Sequence, residues 1–311
     1  MTNKRFERYV WVILAYTMVV ILWGAFVRAT GSGAGCGNHW PLCNGEVIPR
    51  EPMIETIIEI SHRITSGFLL ILIAAMVFIG FRTYPKGHIV RKGAVATLVF
   101  VIIEALIGAF IVLYELVADN ASMARAYSMS LHLVNTLLLL AAIILTGLWV
   151  RGVRPPTLNV PRAAKIWTVI GVLMMMLLGA SGGIAALGDT LFPAVTFAEG
   201  LKQELDPTSN LLLRLRVAHP AIAVGTGLVM VMVAQAFAAM RQNVATKRLA
   251  WLLYGTYGLQ LLLGTLNVIL LAPVWLQLVH LLLSDVIWFA FVALAAYSFE
   301  RDEINLPAAT T

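Results

Sequence analysis

Apolar residues along the chain fall into long blocks, separated by shorter stretches that collect the charges, prolines and many glycines. Each block holds roughly 20 residues, enough for a helix to cross about 30 Å of hydrocarbon. None alternates apolar and polar positions as a barrel strand does, and a helix satisfies its own backbone hydrogen bonds in lipid. The pattern predicts an all-α integral membrane protein with eight transmembrane helices, near 9–28, 58–82, 94–115, 129–150, 165–187, 214–238, 248–271 and 275–299. The first block runs on into Trp23-Gly24-Ala25-Phe26-Val27-Arg28 without a small-residue cleavage pattern, so it is expected to remain as a span.

Composition strengthens this reading: 60% of the residues are hydrophobic, 12% are charged and the mean hydropathy is +0.86. Such a chain is far more apolar than a soluble domain. Its net charge of +6 does not point to nucleic acid. Lys and Arg gather in alternate short loops: Lys4, Arg5 and Arg8; Arg82, Lys86, Arg91 and Lys92; Arg151, Arg154, Arg162 and Lys165; Arg241, Lys247 and Arg248. By the positive-inside rule these loops and both termini are cytoplasmic, in a multi-pass protein of the inner or plasma membrane. Segments 29–57 and 188–213 then face outward. The two cysteines, Cys36 and Cys43, share the first outer segment, where a disulfide is allowed, as a staple or as a redox pair.

The halves of the chain match one another. Trp23-Gly24-Ala25 parallels Leu178-Gly179-Ala180, and Glu104-Ala105-Leu106-Ile107-Gly108 parallels Gln260-Leu261-Leu262-Leu263-Gly264. Glu59-Ile60-Ser61-His62 parallels Arg216-Val217-Ala218-His219, and Leu131-His132 parallels Val279-His280. Equivalent elements lie four spans apart, so the halves share one orientation and form two pseudo-symmetric four-helix bundles. The linker Arg151-Gly152-Val153-Arg154-Pro155-Pro156 sets the boundary, with 1–153 on one side and 154–311 on the other. The polar segment around Ala198–Pro207 has the make-up of a short interfacial helix.

One histidine recurs near the outer end of every even span: His62, His132, His219 and His280. Ionisable side chains are costly in a bilayer and face the bundle interior, and imidazole is a common axial ligand of heme iron. Each half thus offers a pair able to hold a porphyrin between two helices, whereas zinc would need more ligands than this depth supplies. Three residues before the first histidine stands Glu59, on the same helix face as His62 and able to transfer protons, or else simply paired with Arg63 at the interface. The matching Arg216 suits a heme propionate, or snorkels to the membrane surface. Arg28 is either a second propionate partner or a bilayer-edge anchor. Glu104 lies within an apolar run, hydrogen-bonded or part of a proton path, while His39 and His88 lack repeat partners and read as surface residues.

The run Gly31-Ser32-Gly33-Ala34-Gly35-Cys36-Gly37-Asn38-His39-Trp40-Pro41-Leu42-Cys43-Asn44-Gly45, followed by Glu59-x-x-His62-Arg63, resembles the heme A synthase family of the bacterial two-cysteine type. The likeness covers nearly the whole chain. It departs at His39, where the family commonly has an acidic or similar polar residue. The resemblance implies an oxidoreductase that converts the C8 methyl of heme O to a formyl group by successive hydroxylations, giving heme A for cytochrome oxidase. It implies that His62 and His132 bind substrate heme with Glu59 assisting, that His219 and His280 ligate a resident heme b, and that Cys36 and Cys43 form a redox-linked disulfide. A heme O synthase is then the expected supplier, and the electron acceptor is left unassigned.

A di-heme b-type electron-transfer cytochrome, linked to quinol, fits the four histidines equally. Glu59 and the cysteines occur in one half only, which a symmetric electron wire does not require. A repeat-built transporter would need polar breaks at mid-membrane, and none is paired between the halves. Gly and Ala along spans one and five would allow close contact between protomers of a homo-oligomer.

Overall fold

The computed structural model describes residues 3–301. Ten α-helices make up most of it: α1 (Asn3–Ala29), α2 (Ile54–Thr83), α3 (Ile89–Leu113), α4 (Met123–Arg151), α5 (Arg162–Leu191), α6 (Phe197–Leu205), α7 (Leu211–Arg216), α8 (Ala218–Met240), α9 (Val244–Ile269) and α10 (Val274–Ser298). With α7 and α8 taken together as Leu211–Met240, eight helices are long and apolar enough to cross a membrane. The shortest has 25 residues, about 38 Å at the helical rise. The expected spans are all present, with most starting a few residues earlier than expected and three, α3, α9 and α10, ending one or two residues sooner. Ser122 caps α4 by accepting from the Arg125 amide, and Asn243 with Thr246 forms a capping box on α9.

The break between α7 and α8 has a local cause. Pro220 lacks the amide that would bond the carbonyl of Arg216, the last residue of α7, and its ring crowds that carbonyl. The chain therefore restarts as α8 with His219 in its first turn. The polar segment expected at the outer face is α6, capped by Thr196 accepting from Glu199.

Within the first half α1, α2, α3 and α4 pack as a ring, and α5, α8, α9 and α10 form the second unit. The units meet through α4 and α10, with α1 and α5 alongside. α4 is the central element, with 67% of its apolar window buried against 17% for α9, which faces outward. Many large apolar side chains on the outer helices, among them Phe68, Phe78, Leu228, Trp251 and Leu262, are exposed on the surface that would meet lipid. Close approach depends on small residues, as membrane packing requires. A Cβ on Gly93 would lie 2.4 Å from Thr146 Oγ1, and one on Gly183 would lie 2.6 Å from Leu133 Cδ1, so these glycines of α3 and α5 are filled by α4 of the same chain.

Hydrogen bonds of Trp288 and Arg28 help to bolt the units together. Trp288 Nε1 of α10 donates to the Leu137 carbonyl of α4 at 2.7 Å, an interhelical bond worth about 0.6 kcal/mol in a membrane. At the end carrying the cysteine loop, Arg28 of α1 donates to Ala186 O and Thr190 Oγ1 of α5, both at 2.6 Å, and to Gln277 Oε1 of α10 at 2.8 Å. At the other end the linker ends α4 with Gly152 at φ 112°, and is stitched to the C-terminal strand-like segment by Thr157 N–H to Phe299 O at 2.8 Å.

Candidate functional site

Every histidine-bearing helix, α2, α4, α8 and α10, starts at the cysteine-loop end, so His62, His132, His219 and His280 collect near that end of the bundle. All four are half-buried. Within each half the two rings lie in electrostatic reach of one another, His62 of His132 and His280 of His219.

Three of the four rings rest on a glycine of the preceding membrane span. A Cβ on Gly24 of α1 would lie 2.9 Å from His62 Cε1, one on Gly182 of α5 would lie 3.1 Å from His219 Cε1, and one on Gly264 of α9 would lie 3.2 Å from His280 Cε1. A side chain at Gly24 would force the imidazole to shift, and one at Gly182 or Gly264 would press on it. It is Gly182, one turn beyond the Gly179 matched to Gly24 from sequence, that meets the His219 ring, while Gly179 meets only Leu137. Positions a turn apart share one helix face, so a short run of similar residues cannot separate the two registers.

The fourth ring departs from the pattern. Gly108, the repeat partner of Gly264, meets nothing, and Glu104 one turn earlier on α3 reaches His132 instead, Oε1 lying 3.3 Å from Nδ1. That contact lies at ion-pair distance without the alignment of a formed hydrogen bond. Asn135 and Thr136 of α4 both donate to the Glu104 carboxylate. In the second half Gln260 stands in its place, donating to His280 O at 3.0 Å and to Ser284 Oγ at 2.7 Å. Ser284 and Thr136 occupy matching positions, one turn after their histidines, so the scaffold repeats while the charge does not.

The second asymmetry is at Glu59 and Arg216. Glu59 is 3% exposed, so it is no surface carboxylate, although it does pair with Arg63. Its Oε2 accepts from the Cys36 amide at 2.8 Å and its Oε1 from Arg63 Nε at 3.1 Å. Cys36 and Cys43, both buried, are joined as a disulfide. Arg216 is held in the bundle by Asp189 at 2.8 Å and Glu204 at 2.5 Å, on α5 and α6. Of the remaining histidines, His39 is exposed in the cysteine loop, and His88 caps α3 by accepting from the Val90 amide at 3.3 Å.

Several buried polar groups, Arg125 and Asp285 among them, were not singled out from sequence. Asp285 of α10, five residues past His280, is 2% exposed and its Oδ2 has no hydrogen-bond partner. A lone carboxylate inside an apolar span was the signal.

A pair of imidazoles suits a porphyrin better than a bare metal ion. Among the described residues no group of three or more His, Cys, Asp or Glu side chains could hold a metal ion. The buried Nδ1 atoms of His62, His132 and His280 have no hydrogen-bond partner on the protein, that of His132 having only the Glu104 carboxylate nearby. His219 Nδ1 is instead within 3.0 Å of Ser181 Oγ, which orients the ring and directs Nε2 away.

Residues 7–292 match a family model described as cytochrome oxidase assembly protein, COX15-CtaA. A protein of Thermus thermophilus named protoheme IX farnesyltransferase is 48% identical over 298 residues, covering 96% of this chain and 49% of the relative. Proteins named heme A synthase are 42% identical in Bacillus mycoides and 41% in Bacillus cereus, each over 112 residues and 36% of either chain. The chain thus spans about half the length of the Thermus relative and about a third of the Bacillus ones is matched. With its eight spans, histidine pairs and cysteine loop, the chain belongs to the COX15-CtaA family of cytochrome oxidase assembly proteins, the heme A synthase family.

Proposed function

We propose that the chain is a heme A synthase, oxidising the C8 methyl of heme O through successive hydroxylations to a formyl group. The carrying observation is the inequality of two otherwise matching sites: a buried, oriented carboxylate accompanies His62, and an arginine paired with acids accompanies His219. One substrate site and one cofactor site need such a difference.

In this reading His62 and His132 receive heme O, with Glu104 beside His132 fixing that ring. Glu59 takes or returns protons as the methyl group is oxidised. His219 and His280 hold heme b, which when bound supplies a one-electron relay. Ser181 sets the His219 ring, while Gln260 and Ser284 brace the turn of α10 that carries His280. Arg216 and Arg28, both at this end, are the candidates for propionate contacts. The farnesyl tail of heme O favours entry from lipid, where apolar surface stays out of water. With both termini cytoplasmic, the sites lie toward the outer leaflet.

The name of the Thermus relative belongs to a protein of which this chain spans 49%. A heme O synthase is the partner that would supply the substrate.

The reading also predicts that Gly182→Val, whose side chain would collide with the His219 ring, lowers heme occupancy of the second site about tenfold or more, the range for a displaced ligand support. The heme-to-protein ratio of the purified variant checks this; an unchanged ratio would remove Gly182 from the site. The function itself is tested by expressing the chain in a host that makes heme O but lacks a heme A synthase, then identifying extracted hemes by chromatography and mass. Heme A or its hydroxylated precursor supports the synthase. Unchanged heme O beside a folded, heme-loaded protein favours the electron-transfer cytochrome.

A further inference from the structure

The cysteine loop is seated on α2 more closely than a connecting segment requires. A Cβ on Gly35 would lie 2.4 Å from the Glu55 carbonyl carbon, so backbone meets backbone there and only glycine fits. Thr56 Oγ1 donates to Gly35 O at 2.7 Å. Arg63 completes the arrangement: Nη1 donates to His39 O at 2.6 Å and Leu42 O at 2.7 Å, while Nε and Nη2 both bond Glu59 Oε1. The planar guanidinium therefore bridges the disulfide loop and the buried carboxylate, and the Cys36 amide closes the circuit onto Glu59 Oε2. In the other half Pro220 follows His219 where Arg63 follows His62, and no such bridge is formed there.

We propose that Arg63 is a positioning residue that clamps the Cys36–Cys43 loop onto α2 and, through that loop, fixes the direction of the Glu59 carboxylate. The proposal rests on the reading of Glu59 as the group acting at the substrate site. It makes the disulfide and the carboxylate parts of one mechanical unit, so that release of Arg63 or Glu59 loosens the loop. A lysine carries the charge but lacks the fork that reaches both carbonyls and the carboxylate together.

The test uses the full chain with a water-soluble phosphine as reductant, and counts freed thiols by maleimide labelling and mass. Arg63→Leu and Glu59→Ala are each expected to speed reduction of the disulfide about tenfold or more, as loss of a charge-assisted hydrogen bond shifts local opening. Combined, they should not multiply, because both release the same clamp. Arg63→Lys is measured alongside and decides the matter if the leucine variant does not fold. With heme O as substrate, Arg63→Lys should lower kcat about tenfold while KM stays within about twofold, the pattern of a misdirected group on bound substrate. Reduction rates within about twofold of the unaltered chain in the arginine variants, or a change in KM with kcat intact, would overturn the clamp. If the rates respond but no heme A is made by the unaltered chain, the clamp stands and the synthase reading falls. Heme A production with unresponsive rates gives the reverse.

Discussion

Replacing His219 or His280 with alanine is expected to strip the second site of its heme. Each ring is supported from behind, His219 by Gly182 and Ser181, and His280 by Gly264. Neither half has a spare imidazole at this depth to substitute. Loss of an axial ligand should weaken heme binding by more than about a hundredfold, beyond the range that a lost outer-shell partner produces. The purified variants should lack the absorbance band of the resident heme, while their circular dichroism keeps the helical signal of eight spans. The comparison variant Gln260→Leu leaves both ligands in place and should retain heme, with a shifted spectrum at most. Undiminished heme in both alanine variants would remove the pair from the assignment.

Glu59→Ala should separate binding from turnover. The variant is expected to keep the heme held by His219 and His280 yet lower heme A output at least about a hundredfold, the lower bound for loss of a general acid or base. It also leaves Arg63 and the Cys36 amide without their shared acceptor, at a cost of about 1–3 kcal/mol in local stability. Glu59→Gln controls for that cost: it keeps the shape and an acceptor oxygen but cannot carry the proton. Both variants should therefore lose turnover, whereas only the alanine should loosen the loop strongly. Normal heme A output from Glu59→Gln would exclude proton transfer by this residue. Output restored in glutamine but lost in alanine would leave Glu59 a structural bond alone.

The contrast between the halves is what gives these experiments their reach. Glu104 with Asn135 and Thr136 surrounds His132 with charge and hydrogen bonds, whereas Gln260 with Ser284 offers a neutral copy of the same scaffold. Duplication preserves the backbone frame because helix spacing is set by packing, while individual polar side chains can change without disturbing it. On the proposed reading, the same frame would hold one porphyrin tightly and admit another.

Sequence by itself determined the eight spans, the repeat, the four histidines, the break at the linker and the polar segment that forms α6. Each follows from local periodicity or from the cost of placing a polar group in lipid, and neither needs a distant partner. Tertiary structure alone decided that Glu59 is buried beneath the Cys36 amide, that Gly182 and not Gly179 lies under His219, and that Arg28 spans 249 residues to reach Gln277. It also placed Arg216 between Asp189 and Glu204, and left Asp285 in the core. Whether an arginine snorkels, meets a propionate or ties two helices together depends on which acceptors the fold brings within about 3 Å. Those acceptors come from elements far apart in the chain, and only the packing of helices of fixed length and tilt brings them together.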